Sequence, residues 1–311
     1  MIQKTAIIIV TYGHWEQTKN CLDDLLKNPK ESFRIFVVDN GSLDGTPERI
    51  AQDYPEVRLL CAKENRGFGA ANNAGIALAQ PENFSFDSIL FLNNDTRLSP
   101  NAIPSLQKDL SLFPNDVVVP RLLNVDGSLQ KNWFSKIPPV QFFFNAFRSE
   151  ESASRYVNGE IKPISGTSFY EAQWTNAAAW MMTRETWNKV GGFDENIFMY
   201  YEDVDWAYRA HRFQIRFLID FKTSIIHLGG GSAKNVLSRS LQHDSSQLYF
   251  YRKHYGFKGV VLSRTFRAVR SSLRVLFSLP RVPFSADARN RVKLHFTLFL
   301  FALGLFPFSK K

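Results

Sequence analysis

The sequence predicts an α/β fold with a mostly parallel sheet flanked by helices, followed by a helical C-terminal extension. Short apolar runs alternate with helical patterns over the first 120 residues, which is typical of repeated βα units. The apolar runs are continuous rather than alternating, as expected of strands that are buried on both faces. From Ser238 onward the pattern is helical, and this part forms the predicted extension.

The predicted elements follow one another in a regular order. Strands are predicted at Ala6–Val10, Phe33–Val38, Val57–Leu60 and Ile89–Leu92, and helices at Trp15–Leu26, at Gly69–Ala79 and from Pro47 onward. Thr46 is expected to cap the last of these helices, because proline favours the first helical position. Ligands bind at the carboxyl ends of parallel strands, so the polar residues that follow these strands mark the expected site.

Beyond residue 115 the pattern is less regular. A strand is predicted at Asp116–Leu123, with Asp126-Gly127 as a hairpin turn. The long segment Phe134–Ala172 contains prolines, serines and an aromatic run, which is typical of a functional loop, a lid or a partly disordered connection. Ordered elements are then predicted at Trp174–Arg184, Glu202–Arg212, Gln214–Ile219 and Ser224–Leu228.

Charge is distributed unevenly along the chain. The 311 residues carry a formal net charge of +9, but residues 251–311 alone carry +12. Such a basic segment points to nucleic acid or to an anionic membrane surface.

Other features of the sequence exclude several classes of protein. The two cysteines exclude a disulfide framework and a cysteine zinc site. No signal peptide is expected, because the N-terminal apolar run Ala6–Val10 is too short. No spanning helix is expected, because no apolar stretch reaches the ~20 residues of a membrane span.

Polar clusters follow three of the predicted strands. Asn93-Asn94-Asp95 offers oxygen ligands for a divalent cation that bridges a diphosphate, although an Asx turn would explain the same residues. Asp39-Asn40 could hydrogen-bond a ligand or simply close a turn. Tyr12, which follows Thr11, could stack on a base or pack internally.

A glycine-containing segment, Asn65-Arg66-Gly67-Phe68-Gly69, precedes a predicted helix. Its glycines allow close backbone approach, and its arginine could meet a phosphate or a base edge. It is not the dinucleotide-binding fingerprint, which follows the first strand of its fold, and the chain contains no Walker loop.

Two further groups could carry chemistry. Glu202-Asp203-Val204-Asp205 places three carboxylates in one helical turn, where they could supply a general base or simply favour the positive end of the helix dipole. His227 follows an apolar pair near a strand end. It could be a metal ligand or a partly exposed histidine with no such role.

In this order, the segments resemble the family 2 inverting glycosyltransferases, which have the GT-A fold. The resemblance spans about Ala6 to Gly256, and within the family the chain looks most like bacterial rhamnosyltransferases that build cell-surface polysaccharide. It rests on seven segments, which are Ile8–Tyr12, Val37–Ser42, Asn65–Gly69 with Asn72 and Gly75, Phe91–Asp95, Gly191–Glu195, Tyr201–Asp205 and His227.

The resemblance implies a role for each matching residue. The residues implied to bind the donor, the first three of them at the nucleobase, are Thr11, Tyr12, Asp39, Asn40, Arg66, Gly67, Asn72 and Asn94. Those implied to lie near the acceptor are Trp180, Asp194 and Glu202. Asp95 and His227 would bind Mg²⁺ or Mn²⁺, and Asp203 would be the catalytic base. Many relatives carry the first aspartate of an Asp-x-Asp motif where this chain has Asn93, so the diphosphate would supply much of the coordination.

The resemblance also implies an organisation and a reaction. Residues 1–250 would form the GT-A catalytic domain, with the donor half at about 1–125 and the acceptor half at about 173–235. The expected reaction transfers L-rhamnose from dTDP-rhamnose, with inversion, to a hydroxyl of a lipid-linked or polysaccharide acceptor. The alternative is a UDP-sugar-dependent galactofuranosyl- or hexosyltransferase of the same fold.

Residues 251–311 are expected to form basic, amphipathic helices. In Val260–Leu279 apolar side chains recur at helical spacing and arginines lie largely on other faces, which suits an anionic bilayer surface. Phe296–Phe308 suits an interfacial segment better than a span. We therefore expect a cytoplasmic protein at the inner face of the membrane, although these helices could instead pack on the catalytic domain or form a homodimer. A nucleic-acid partner is not expected, since no recognised binding motif is present.

Overall fold

The computed structural model describes residues 4–80, 85–134, 161–229 and 236–306, which form two compact units. The first unit contains the described residues up to 229 except Met199–Tyr201, and the second contains Met199–Tyr201 and 236–306. Most of the long connection predicted at Phe134–Ala172 lies outside the described residues, as do the last two residues of Phe296–Phe308.

The first unit alternates strands and helices. Its strands are β1 (Thr5–Thr11), β2 (Phe33–Asp39), β3 (Arg58–Cys61), β4 (Ser88–Asn93), β5 (Thr96–Arg97), β6 (Val117–Leu123), β7 (Trp133–Phe134), β8 (Lys162–Pro163), β9 (Phe169–Ala172), β10 (Trp174–Thr175), β11 (Ala179–Thr183) and β12 (Phe217–His227). Its helices are α1 (Trp15–Leu25), α2 (Thr46–Asp53), α3 (Phe68–Ala79), α4 (Ala102–Leu112), α5 (Arg184–Val190) and α6 (Glu202–Ala210).

The main sheet is mixed and brings several strand ends to one edge. Its order is β3-β2-β1-β4-β11-β6-β12-β9-β8, with β5 paired to the end of β12. The first four strands are parallel neighbours. β11 runs antiparallel to both β4 and β6, and β12 is parallel to β6. These two reversals restore the original direction, so Thr11, Asp39, Asn93 and His227 end their strands at the same edge.

Helices cover both faces of this sheet. Ile7 and Ile9 of β1 belong to a buried cluster that includes residues of α1, α2 and α4. Ile8 points to the opposite face, where Gly75 of α3 packs so closely that an added Cβ would overlap it. Burial on both faces explains the continuous apolar strands and confirms the predicted α/β class.

The structure corrects two local predictions. Gly45, with φ of 79°, occupies the cap position expected for Thr46, and the Asp44 side chain accepts the Thr46 N–H at 3.2 Å. The two strands predicted at Gln214–Ile219 and Ser224–Leu228 are the single strand β12, whose register shifts after Asp220. The Asp220 carboxylate accepts the N–H groups that follow it, at 3.0 and 2.7 Å, so the backbone stays satisfied where the ladder is interrupted.

The second unit is helical. It contains α7 (Val236–Ser278) and α8 (Ala286–Leu303). α7 is broken at Gly256, where φ is 61° and ψ is −151°. Among the described residues, no helix is long and apolar enough to cross a membrane.

Candidate active site

The end of the sheet brings Asp95 and His227 together. β5 pairs with the last residues of β12, so Thr96 lies opposite His227. Nε2 of His227 is 3.3 Å from an Asp95 carboxylate oxygen, and both side chains are nearly buried. Another hydrogen bond to the Asp95 carboxylate comes from the Gly229 N–H at 3.1 Å. The two predicted metal ligands thus form one corner at the strand edge.

Two neighbours complete this corner. Oε1 of Gln130 is 2.7 Å from Nδ1 of His227, and the Asn93 side-chain nitrogen is 3.3 Å from Nε2. The Asn93 side-chain oxygen is buried and has no hydrogen-bond partner among the described residues. An orphaned amide oxygen beside a carboxylate and an imidazole fits a divalent cation. No group of three His, Cys, Asp or Glu side chains that could hold a metal occurs in the described part of the chain, so the protein would supply only part of the coordination.

Asn40 organises the loop after β3. Its side-chain nitrogen donates to the Asn65 side chain at 2.9 Å and to the Gly67 carbonyl at 3.2 Å. Its side-chain oxygen accepts the Arg66 N–H at 3.0 Å. This loop borders a pocket between the ends of β2 and β3 and α3, whose lining includes Val38, Asn40, Ala62, Glu64, Arg66 and Ala70.

Asp39 holds the turn after β2. Its carboxylate accepts the N–H groups of Gly41 and Ser42 at 3.1 and 2.9 Å, and the Ser42 hydroxyl at 2.5 Å. The Ser42 hydroxyl in turn accepts the Gly13 N–H at 2.6 Å. Asp39 therefore joins the loops after β1 and β2.

At the end of β1, Thr11 is buried and the next residue, Tyr12, is exposed. Asn94 donates to the hydroxyls of Thr11 and Thr18, at 3.2 and 2.9 Å. The two hydroxyls are themselves 2.9 Å apart, so Thr11 and Asn94 stabilise the loop from within. Tyr12 is 54% exposed, so its ring lies where a ligand can reach it.

The two asparagines of α3 have different partners. Asn72 is buried and donates to a carbonyl of its own helix at 2.9 Å. Asn73 donates to the Phe193 carbonyl and accepts the Phe193 N–H, both at 2.9 Å. It also donates to Glu195, which pairs with Arg66 at 2.9 Å. Sequence reasoning selected Asn72 and missed Asn73. The adjacent pair of asparagines in an alanine-rich helix was the feature that could have pointed to Asn73 as well.

α6 holds the turn at Gly191-Gly192. Arg209 donates to the carbonyls of Val190 and Gly192, both at 2.7 Å, and pairs with the fully buried Asp205 at 2.9 Å. The Trp206 indole donates to the Gly191 carbonyl at 2.9 Å. Sequence reasoning also missed Arg209, because its carbonyl partners lie 17 and 19 residues away.

Trp180 and Asp194 occupy different environments. Trp180 has no exposed surface, and its indole donates to the Thr175 hydroxyl at 2.8 Å. A side chain without exposed surface does not reach an acceptor, so the structure assigns Trp180 to core packing in place of the expected acceptor contact. Asp194 is partly exposed and accepts two hydrogen bonds from Asn196, both at 2.9 Å.

Asp203 lies in the first turn of α6. Its carboxylate accepts the Val204 N–H at 2.8 Å and also bonds to the backbone of Ala177. The carbonyl of the next residue, Ala178, accepts the Asn93 N–H at 2.9 Å. Residues 177 and 178 therefore connect Asp203 to the end of β4, two residues before Asp95.

The carboxylates of the site differ in acidity. Burial raises the pKa of Asp203 to about 6, although backbone hydrogen bonds oppose this effect. Burial, with the charge of Asp203, also raises the pKa of Glu202 well above its usual range. At Asp95 burial raises the pKa, but contact with His227 and the Gly229 N–H together lower it below the usual range. Asp95 is thus an anion at neutral pH, while Asp203 can exchange a proton near neutrality.

The sequence model described as "Glycosyl transferase family 2" matches residues 6–170, more than half of the chain. The chain belongs to glycosyl transferase family 2. The match includes β1, β2 and β4, together with Tyr12, Asp39 and Asp95 at or just after their ends, so this part of the edge lies in the residues that identify the family.

This family 2 glycosyltransferase is similar to two curated rhamnosyltransferases. It is 26% identical to the N-acetylglucosaminyl-diphospho-decaprenol L-rhamnosyltransferase of Mycobacterium tuberculosis, over 94% of this chain and 98% of the relative. It is 23% identical to the dTDP-rhamnosyl transferase RfbF of Shigella flexneri, over 88% of this chain and 84% of the relative.

Solved glycosyltransferases share its GT-A fold. The mannosyltransferase PcManGT from Pyrobaculum calidifontis, solved with GDP-Man and Mn²⁺, aligns with a TM-score of 0.54 and 14% identity over 98% of this chain and 87% of that one. GalNAc-T7, solved with UDP, GalNAc and Mn²⁺, aligns with a TM-score of 0.57 and 14% identity over 80% of this chain and 50% of that one. These similarities confirm the predicted GT-A fold of the glycosyltransferase.

Proposed function

We propose that this glycosyltransferase moves L-rhamnose from dTDP-rhamnose to a hydroxyl of a lipid-linked or polysaccharide acceptor, with inversion. The geometric observation that supports the reaction is the connection of Asp203, through residues 177 and 178, to the end of β4, two residues before Asp95. It links a carboxylate that can accept a proton to the edge of the sheet where the proposed cation site lies. The choice of donor rests on the similarity to two rhamnosyltransferases across most of the chain.

In the proposed reaction Asp203 is the general base. The acceptor oxygen forms a bond to the anomeric carbon while the bond from that carbon to the diphosphate oxygen breaks. The acceptor proton passes to the Asp203 carboxylate as the new bond forms, because a free alcohol is too weak an acid to ionise first. The raised pKa of Asp203 makes it a better proton acceptor than an ordinary aspartate.

Asp95 and His227 would hold Mg²⁺ or Mn²⁺, with Asn93 as a further oxygen donor. When bound, such a cation offsets the negative charge that develops on the departing diphosphate. Two of the similar solved structures contain Mn²⁺, which supports a divalent cation without fixing which one. Because the protein side is short of ligands, donor and cation are expected to bind together.

The nucleotide would bind where the loops after β1, β2 and β3 meet. Asn40 holds the Arg66 N–H and the Gly67 carbonyl in fixed positions, while Glu195 holds the Arg66 guanidinium. Tyr12 offers an exposed ring to the base. Asp194 and Glu202 remain the residues proposed to lie near the acceptor.

The donor assignment is tested with a panel of sugar nucleotides. Purified protein with Mn²⁺ is incubated with dTDP-rhamnose, UDP-galactofuranose or UDP-hexoses, and thermal stabilisation and donor hydrolysis are measured. Stabilisation by dTDP-rhamnose alone supports the proposal. Stabilisation only by a UDP-sugar would overturn it in favour of the galactofuranosyl- or hexosyltransferase.

We further propose that the second unit attaches the enzyme to the inner face of the membrane, where a lipid-linked acceptor lies. The last turn of α7 and the connection to α8 expose Leu276, Phe277, Leu279 and Phe284, and Phe284 is 90% exposed. Arg281 is exposed among them, and residues 251–311 carry a net charge of +12. Apolar side chains with basic neighbours fit the interface of an anionic bilayer.

Sedimentation with vesicles containing phosphatidylglycerol tests this attachment. Wild-type protein is expected in the pellet at low salt, and the double variant Phe277→Ser, Phe284→Ser in the supernatant. Leu112→Ser is the matched control, because Leu112 is 60% exposed in the first unit and should not affect sedimentation. Wild-type protein that stays in the supernatant at low salt contradicts membrane attachment.

A further inference from the structure

We propose that Gln130 is a positioning residue that holds the neutral His227 ring in its Nδ1–H tautomer, so that the Nε2 lone pair faces the corner with Asp95. The cation side of this inference rests on the function proposed above. The tautomer itself follows from hydrogen bonds within the protein.

The orientation of the Gln130 amide is set by its nitrogen. This nitrogen donates to the backbone carbonyl of His227 at 3.0 Å and to the Asn124 side-chain oxygen at 3.0 Å. A carbonyl oxygen can only accept, so the nitrogen and not the oxygen must face it. The Gln130 oxygen is therefore the atom at 2.7 Å from Nδ1 of His227.

This orientation determines where the proton of a neutral His227 lies. The Gln130 oxygen has no hydrogen to donate, so the short contact requires a hydrogen on Nδ1. A neutral imidazole carries one N–H, which leaves a lone pair on Nε2. Nε2 can then accept from the Asn93 side-chain nitrogen at 3.3 Å.

The same tautomer leaves two acceptors facing each other. Nε2 of His227 and an oxygen of the ionised Asp95 are 3.3 Å apart, and two lone pairs at that distance need a positive charge between them. In the metal-free protein a proton on Nε2 would meet this need, and a divalent cation would meet it with both atoms as ligands. A hydrogen bond from the outer ring nitrogen of a metal-binding histidine fixes its ring and tautomer in the same way.

The hairpin after β6 holds Gln130 in place. The Gln130 backbone N–H donates to the Leu122 carbonyl at 2.9 Å, and the Asn124 N–H donates to the Ser128 carbonyl at 2.8 Å. Gly127 has φ of 80° at the turn, as expected for the predicted hairpin. The Gln130 side chain is therefore aimed before any ligand binds.

The tautomer is measured directly in metal-free protein. With ¹⁵N-labelled histidine, long-range ¹H–¹⁵N spectra at a pH where the ring is neutral distinguish the two tautomers, and His227→Gln identifies the resonance among the six histidines. Wild-type His227 is expected as Nδ1–H. Gln130→Leu removes the acceptor and should shift the ring toward Nε2–H, whereas Gln130→Glu keeps an acceptor and should retain Nδ1–H.

Binding of Mn²⁺, measured by electron paramagnetic resonance with and without dTDP, gives a second readout. Gln130→Leu should lower the affinity about 10–100-fold, as loss of an outer hydrogen bond does at other metal-binding histidines, and Gln130→Glu should recover much of it. A wild-type His227 found as Nε2–H overturns the inference, even if Gln130→Leu does not fold. Wild-type affinity in a folded Gln130→Leu protein overturns the proposed positioning. An Nδ1–H ring in a protein that binds no Mn²⁺ even with dTDP upholds the tautomer and contradicts the proposed metal function.

Discussion

Gly67 packs directly against the backbone carbonyl of Phe198. The neighbouring Phe68 N–H donates to that same carbonyl at 3.0 Å, and a Cβ on Gly67 would overlap it. Gly67 also has φ of 89°, a conformation that side chains disfavour. The glycine of the Asn-Arg-Gly-Phe-Gly segment is therefore required by contact with a distant part of the first unit.

Gly67→Ala is expected to destabilise the protein strongly, as measured by urea unfolding. The backbone conformation alone costs on the order of 1–3 kcal/mol, and the overlap with Phe198 adds to it. Gly127→Ala is the matched control, because Gly127 has φ of 80° but nothing within 4 Å of an added Cβ. Equal losses in the two variants would mean that the Phe198 contact contributes nothing.

Asp203→Asn is expected to lower kcat about 10²–10⁴-fold, because asparagine cannot accept the acceptor proton. Its side-chain oxygen can still accept the Val204 N–H, so the start of α6 should be preserved. Donor affinity, measured calorimetrically, is expected to stay at the wild-type value. Turnover near the wild-type rate would exclude Asp203 as the base.

The pH dependence of kcat is expected to follow the ionisation of Asp203. Its pKa is raised to about 6 by burial, and only the carboxylate form can take a proton. The rate should therefore be level above pH 7 and should fall about tenfold per pH unit well below 6. A pH–rate profile with an inflection near the ordinary aspartate pKa of about 4 would contradict this assignment.

Chelation is expected to abolish activity, and Mg²⁺ or Mn²⁺ to restore it, because Asp95 and His227 are proposed to hold a cation. Asp95→Asn removes the only charged ligand of this corner and should raise the cation concentration needed for half-maximal rate at least tenfold. Both results are read from initial rates against metal concentration. Full activity in excess chelator would remove Asp95 and His227 from the proposed mechanism.

Asp109→Asn is expected to stabilise the protein at pH 8. Burial, together with the charge and hydrogen bonding of Asp220, raises the pKa of Asp109 to about 7, against about 4 in the unfolded chain. The folded protein thus binds this proton more tightly, and stability is lost as pH rises from about 4 to about 7. Asparagine does not ionise, so the gain should be on the order of 2 kcal/mol at pH 8, about half of what the shift alone gives because solvent screens a half-exposed carboxyl, and vanish near pH 4.

Asp220→Asn is the contrasting variant. The Asp220 carboxylate accepts the Ser168 hydroxyl and the Thr223 N–H, both at 2.7 Å. Loss of this carboxylate should lower the free energy of unfolding at acid and neutral pH alike.

Thermal unfolding at two pH values tests the Asp109 prediction. A melting temperature of Asp109→Asn that differs from wild type by the same amount at pH 5 and pH 8 would exclude a proton held by Asp109.

The parallel strands were predictable from the sequence because burial on both faces leaves continuous apolar runs such as Ala6–Val10. The meeting place of their polar ends was also predictable, because the carboxyl ends of parallel strands lie at one edge of a sheet. The family resemblance and the GT-A fold are confirmed by the family match and by the solved structures. The roles of the individual site residues stay predictions.

Contacts between residues far apart in the chain could not be predicted from the sequence. Gln130 reaches His227 across 97 residues, and Asn73 reaches Phe193 across 120. Neither residue has a local pattern that separates it from a surface amide. Trp180 was expected near the acceptor, but its aromatic neighbours, Trp206 at 5.5 Å and Phe217 at 5.1 Å between ring centroids, belong to the core.

Local periodicity and short segments in order were enough to predict the class of fold, the edge of the sheet that carries the polar residues, and the family. The folded chain was needed to see which side chains meet at that edge, which way the Gln130 amide faces and which carboxylates keep their protons. Those properties depend on distances and burial between residues far apart in the chain, and local sequence carries no record of them.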